Sequence, residues 1–190
     1  MSKHMSATNV ISWLRRLWRR EEGESVIGFA LIFPSFLLLT MGTMETALIA
    51  FDYHRASEAT RQGVRAAIIA KPIFTVSDFA RGGDVVCAES GGSVKCSGAS
   101  VSNAAVFTQI VGDMATFDKK ITPANVQIEY TDSGLGDPTT PGGIIPLVTV
   151  RLIDLQQPFY FLDAFPGVPA SFTYPSFRST QMGSGIGKGT

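Results

Sequence analysis

The sequence predicts an α+β protein: a long N-terminal membrane-spanning α-helix, then a small exported α+β domain with an antiparallel sheet. Three observations predict it. From Val26 to Met44 no side chain carries a charge, and at about 1.5 Å rise per residue this run covers roughly 28 Å, close to the hydrocarbon thickness of a bilayer. Beyond it no proline or glycine pair interrupts a helical pattern until Pro72. Further on, two segments alternate with period two on either side of a turn-rich loop, as half-buried paired strands do.

In order, residues 1–23 form a basic leader. Arg15, Arg16, Arg19 and Arg20 stand just before the apolar run, a positive flank that keeps the N-terminus in the cytoplasm and sends the rest across. Val10, Ile11, Trp13, Leu14, Leu17 and Trp18 interleave with the arginines at spacings near three and four, which predicts a short amphipathic helix on the inner leaflet or a leader that is removed. The apolar run is longer than a secretory signal core and no small-x-small site closes it, so it reads as an uncleaved anchor or one trimmed on its cytoplasmic side.

Residues 24–70 are expected as one helix of about 45 residues and roughly 67 Å, with Pro34 removing one backbone hydrogen bond inside the span. Glu45 interrupts the apolar run near its outer end. An acid there either bounds the span at a wet interface, the reading preferred here, or pairs with a cation or amine on a neighbouring helix. After Phe51 the helix turns amphipathic, and Ala56, Ala59, Thr60, Gly63, Ala66 and Ala67 recur at three- and four-residue spacings. Such a face of small residues suits close approach, to the chain's own domain or to neighbouring subunits.

Residues 71–190 supply the domain. From Lys71 to Ser100 the sequence reads as irregular, with glycine turns around Cys87 and Cys96. An oxidising exported compartment favours pairing the two cysteines in a disulfide; two free thiols are the alternative. Ser102 or Asn103 caps a helix with Val106, Ile110, Met114 and Phe117 on one side. Val126–Tyr130 and Leu147–Leu152 are strands, joined by a long hairpin-type loop. The aromatic end, Phe159, Tyr160, Phe161, Phe165, Phe172, Tyr174 and Phe177, is expected to close the core beneath the sheet.

The sequence contains no nucleophile elbow, phosphate loop or His-Glu-x-x-His, so no catalytic, cofactor-binding or metal-ligating residue is assigned and the chain reads as a non-enzyme. His54 lies between Asp52 and Arg55, which read as a solvated helix face. Asp132 and Asp137 sit among glycines without the spacing of a calcium loop, and a tight turn explains them better. A net charge of zero disfavours nucleic acid as partner, and no small-molecule substrate suggests itself.

Gly23, five residues, then Phe29-Ala30-Leu31-x-x-Pro34 and an apolar run resemble the TadE-like family of Tad/Flp type IV pilus assembly proteins. Gly42-x-x-Glu45 and Ala59-Thr60-Arg61-Gln62-Gly63-Val64-Arg65-Ala66-Ala67 fit the same family pattern. The resemblance covers residues 15–70. It implies a pilin-like (pseudopilin) protein in the bacterial inner membrane with a periplasmic domain, partnered by pilins, other pilus assembly proteins and a prepilin peptidase cutting between Gly23 and Glu24. It also marks Gly28, Phe29, Pro34 and Glu45 as assembly-helix positions. The fifth residue after the cut is Gly28, where the family usually carries glutamate; that residue is thought to pair with the amine of an adjacent subunit, so its absence points to a tip subunit, an assembly factor or an unprocessed chain. A membrane-anchored periplasmic or surface module for binding or adhesion, acting through the aromatic domain, is the alternative.

Overall fold

The computed structural model of the chain describes residues 24–79, 82–137, 143–164 and 166–186. Helix α1 runs unbroken from Glu24 to Ile69, 46 residues, through Pro34. Pro34 takes one donor out of the ladder without ending the helix. The helix stops as expected, three residues short of Pro72, with Ala70 N–H still donating to the Ala66 carbonyl at 3.0 Å. The chain divides into two compact units with the boundary between Thr46 and Ala47, inside α1. The second half of this helix therefore belongs to the folded domain.

The segment expected to be irregular contains a hairpin. Strands β1 (Asp84–Ser90) and β2 (Ser93–Ser97) pair antiparallel. The two residues between them, Gly91 and Gly92, have φ of 66° and 80°, the doubly left-handed turn that matches the twist of a two-residue hairpin and that only glycine adopts freely. Val85 and Cys87 are the only two buried positions of β1, too short an alternation to read as a strand among so many small polar residues. Cys87 stands opposite Cys96 in the register and the two form a disulfide, the pairing the compartment argument favoured.

Helix α2 (Ala104–Ala115) follows. Asn103 precedes it without a side-chain capping bond; its amide instead donates to the Pro72 carbonyl at 3.0 Å, tying the start of α2 to the end of α1. Phe107, Ile110, Val111 and Met114 are its buried residues. Phe117 lies past the helix and is 39% exposed, so it does not continue the buried stripe.

Strands β3 (Val126–Gly136) and β4 (Ile144–Leu152) extend further into the connecting loop than the alternating segments alone indicate, with a register shift between Asp132 and Leu135. The Asp132 carboxylate accepts the backbone N–H of Gly82 at 2.7 Å and of Gly134 at 2.9 Å, which is the work of a turn residue. A short antiparallel pair, β5 (Gln156–Pro158) with β6 (Ser171–Thr173), precedes the last strand, β7 (Phe177–Met182). The main sheet is antiparallel with order β2-β1-β3-β4-β7.

One core gathers Ala56, Ala59, Val64 and Ala67 of α1, the buried side of α2, and inward positions of the sheet such as Cys87, Ile128, Tyr130, Val148 and Val150. The other face of the sheet is polar: Arg151 pairs with Glu129 at 2.9 Å, and the Thr149 and Thr180 hydroxyls meet at 2.9 Å. Among the described C-terminal aromatics, only Tyr174 and Phe177 are buried. Phe159 and Phe161 are half-buried, Tyr160 and Phe172 exposed, and Phe165 lies outside the described residues. The core closes on apolar residues of α1 and α2, which leaves most of the aromatic tail out of it.

Candidate functional site

The candidate site is α1 itself, and its two halves are built differently. In the first half Val26, Ile27, Phe29, Leu31 and Ile32 are each more than 60% exposed, and Phe29 stacks on Phe33 at 4.9 Å between ring centroids. A helix with apolar residues all round and no cover of its own is matched to an apolar surrounding rather than to water. Among the described residues this is the one helix long and apolar enough to cross a membrane. A Cβ built on Gly28 or Gly42 meets no atom within 4 Å, so a side chain at either position has room.

Of the expected processing pair, Gly23 lies outside the described residues and Glu24 is the first residue of α1. Glu45 departs from the wet, interfacial carboxylate preferred from sequence: it is 1% exposed. The helix runs on past Glu45 as expected, but the carboxylate is covered rather than wet.

The second half of α1 is amphipathic and locked. Its small residues are packed: Ala56 and Ala59 are fully buried, with Thr60 and Ala67 nearly so. The Thr60 hydroxyl donates to the Ala56 carbonyl at 2.8 Å, which satisfies it without a partner outside the helix. At Gly63 an added Cβ would stand 2.5 Å from Met114 Sδ and 2.9 Å from its Cγ, so α2 approaches α1 as closely as a missing side chain allows. Of the two uses open to the small-residue face, packing on the chain's own domain is the one found.

A polar lock holds the N-terminal end of this half. Lys120 Nζ lies 2.6 Å from Asp52 Oδ2 and also donates to Gln157 Oε1, joining α1, the turn after α2, and β5. The Arg55 Nε donates to the Phe117 carbonyl at 2.7 Å. The Tyr174 hydroxyl donates to the Ile49 carbonyl at 3.1 Å. Asp118 is buried, with Oδ1 accepting the Lys120 N–H at 3.0 Å. Burial, and then the negative charges of Asp52 and Asp118, push the Tyr174 hydroxyl up to about 12, since its ionised form would lie in low dielectric beside like charge. Burial likewise raises Tyr130.

Sequence reasoning missed this lock. Asp52 looked like part of a solvated helix face, and its partner lies 68 residues away, beyond any local pattern.

At the other end of α1 a cleft of about 390 Å³ is lined by Ile68, Lys71, Phe74, Asn103, Tyr130 and Ser184 among others. Among the described residues no group of three or more His, Cys, Asp and Glu side chains is placed to hold a metal ion.

Fold and helix together define a class: among the described residues, one candidate membrane-spanning helix whose C-terminal half is built into a small α+β domain. Residues 23–65 match the family model described as TadE-like protein, the family whose motifs this stretch resembles. The match supports involvement in Tad pilus assembly. It ends at Arg65 and leaves the sheet uncovered. No curated protein and no solved structure matches the chain.

Proposed function

We propose that the chain is a minor pilin-like (pseudopilin) assembly component of a Tad/Flp pilus. It is held in the bacterial inner membrane by the first half of α1, with its N-terminus in the cytoplasm and its sheet domain in the periplasm. The observation that carries the reading is a coincidence: the TadE-like segment is a single helix, bare and apolar at one end and built into a folded domain at the other. A helix with that first half can exchange bilayer for the interior of a filament at little cost, because both are apolar. The domain stays hydrated throughout, and the arginines before Gly23 set the orientation.

In this reading a prepilin peptidase cuts between Gly23 and Glu24. Gly28 then stands where a carboxylate would pair with a neighbour's new amine, and its absence favours a tip or assembly role over repeated stacking in the shaft. The test is N-terminal sequencing of the full chain co-expressed with the peptidase. The mature protein should begin at Glu24, while Gly23→Leu should remain full length. If wild type and variant migrate identically, processing is refuted. Loss of pili on deleting the gene supports the assembly role; unchanged piliation overturns it.

A second reading, an anchored binding or adhesion module, draws on the cleft beside Lys71 and Tyr130. It gains only if removing residues 71–190 leaves piliation intact.

A further inference from the structure

The main sheet ends on β7, and the register shows which of its backbone groups are left over. Gly183 N–H donates to the Pro146 carbonyl at 2.8 Å, and bonded and unbonded pairs alternate along an antiparallel ladder. Counting back by twos, Gln181, Ser179 and Phe177 exchange hydrogen bonds with Val148, Val150 and Leu152. Arg178, Thr180 and Met182 therefore turn their N–H and C=O groups away from β4. Among the described residues no group meets these backbone atoms.

An edge of this kind pairs with any strand that fits unless the chain blocks it. At the opposite edge β2 is a five-residue arm of a tight hairpin with Lys95 at its centre, short and charged, which discourages pairing. After Arg178, β7 runs on as Ser179-Thr180-Gln181-Met182 with no charge and no proline, and Thr180 and Met182 are exposed. Of the two edges β7 is the open one.

Charge shows what fits it. Arg178 stands opposite Arg151, a like-charged cross-strand pair. Arg151 is neutralised by Glu129 at 2.9 Å, whereas Arg178 is exposed and forms no ion pair among the described residues. Beside the edge a groove of about 220 Å³ runs between α1 and β7, lined by Tyr53, Ser57, Arg61, Phe177, Arg178 and Ser179 among others, with no carboxylate in its lining. A second copy of β7 has no acid to offer Arg178. An acidic strand from another protein does.

We propose that β7 is a strand-addition site: an extended segment of a partner protein, carrying Asp or Glu opposite Arg178, pairs with the N–H and C=O groups of Arg178, Thr180 and Met182. Main-chain bonds supply the grip, and the carboxylate sets the register. In an antiparallel arrangement the partner's alternate side chains would lie beside Arg178, Thr180 and Met182, and those between them over the groove. Strand addition at β7 goes beyond the pilin-like reading and does not depend on it.

The test uses the full chain in detergent, isotope-labelled for magnetic resonance, and the peptide acetyl-Val-Thr-Val-Thr-Glu-Thr-amide. Its Glu falls opposite Arg178 when its first Val faces Met182. With peptide bound, amide hydrogen exchange at Arg178, Thr180 and Met182 should slow by about tenfold, while Ser179 and Gln181, already bonded to β4, change little. The same peptide with Gln for Glu should bind about threefold more weakly, and Arg178→Gln should erase that difference. Thr180→Pro removes one outward N–H, at a place where an edge strand tolerates proline, and should abolish binding; Arg178→Gln decides the matter if that variant fails to fold. Even slowing along all of β7, or none, overturns strand addition. Equal affinity for the Glu and Gln peptides overturns the acidic partner. A chain already dimeric without peptide, with its outward amides protected, overturns the foreign partner in favour of a second copy.

Discussion

The two halves of α1 share one uninterrupted backbone and meet opposite fates. Residues up to Met44 carry large apolar side chains on every side, and none of them is buried. Residues from Ala47 onward belong to a compact unit with the sheet, and their small side chains face a core. Gly42 and Gly63 make the contrast plain, since one has open space at its Cβ position and the other has Met114 in it. A helix is thus no uniform object: one half is bare and apolar all round, and the other is stabilised by α2 and the sheet.

The largest effect that can sharpen this contrast is a pair of truncations. Phe107 is fully buried on α2, and Phe107→Ala should destabilise the domain by about 3–5 kcal/mol through lost burial and a cavity. Phe36→Ala in the bare half should leave domain melting within about 0.5 kcal/mol of wild type. Thermal unfolding of the full chain in detergent, followed by near-ultraviolet circular dichroism, reads both. Equal losses would mean that the two halves are not independent.

Smaller but more pointed is the glycine pair. Gly63→Val forces Met114 or the helix aside, a strain of about 1–3 kcal/mol, whereas Gly42→Val should not move the domain transition. The same melting experiment decides it, and an unshifted Gly63→Val would show that α2 is free to yield.

The smallest effect tests the lock. Tyr174→Phe removes the bond to the Ile49 carbonyl and should cost about 1 kcal/mol at neutral pH. An unfolded tyrosine titrates near pH 10, and the folded Tyr174 is pushed up to about 12. Its neutral form is therefore favoured by folding. That stability is fully present below about pH 10 and is lost as pH rises through about 12. Wild type should lose stability over that interval by more than Tyr174→Phe does, measured by denaturant midpoints on either side of it. Parallel curves would mean that the tyrosine ionises as freely in the fold as out of it.

Much of this molecule was legible in the sequence. The length of α1 follows from an apolar run and an amphipathic run with no breaker between them, and its end from Pro72; both are local properties of the chain. The strands β3 and β4 were visible because Val126, Ile128 and Tyr130 alternate with polar neighbours, a period that only a half-buried strand produces. The TadE-like segment was likewise a matter of residue types at fixed spacing.

What the sequence left open was settled by partners distant along the chain. The hairpin β1–β2 is stabilised by pairing with β3 more than by its own weak alternation. The small-residue face of α1 fitted a neighbour of either kind, and only packing against α2 showed it to be intramolecular. Glu45 looked wet from its neighbours in sequence and is buried; Asp52 looked solvated and is salt-bridged to Lys120. Burial and ion pairing depend on which segments fold over a residue, and no local pattern carries that information. Local periodicity wrote the long helix and its membrane-length apolar end, and tertiary packing decided which of its faces and charges would be covered.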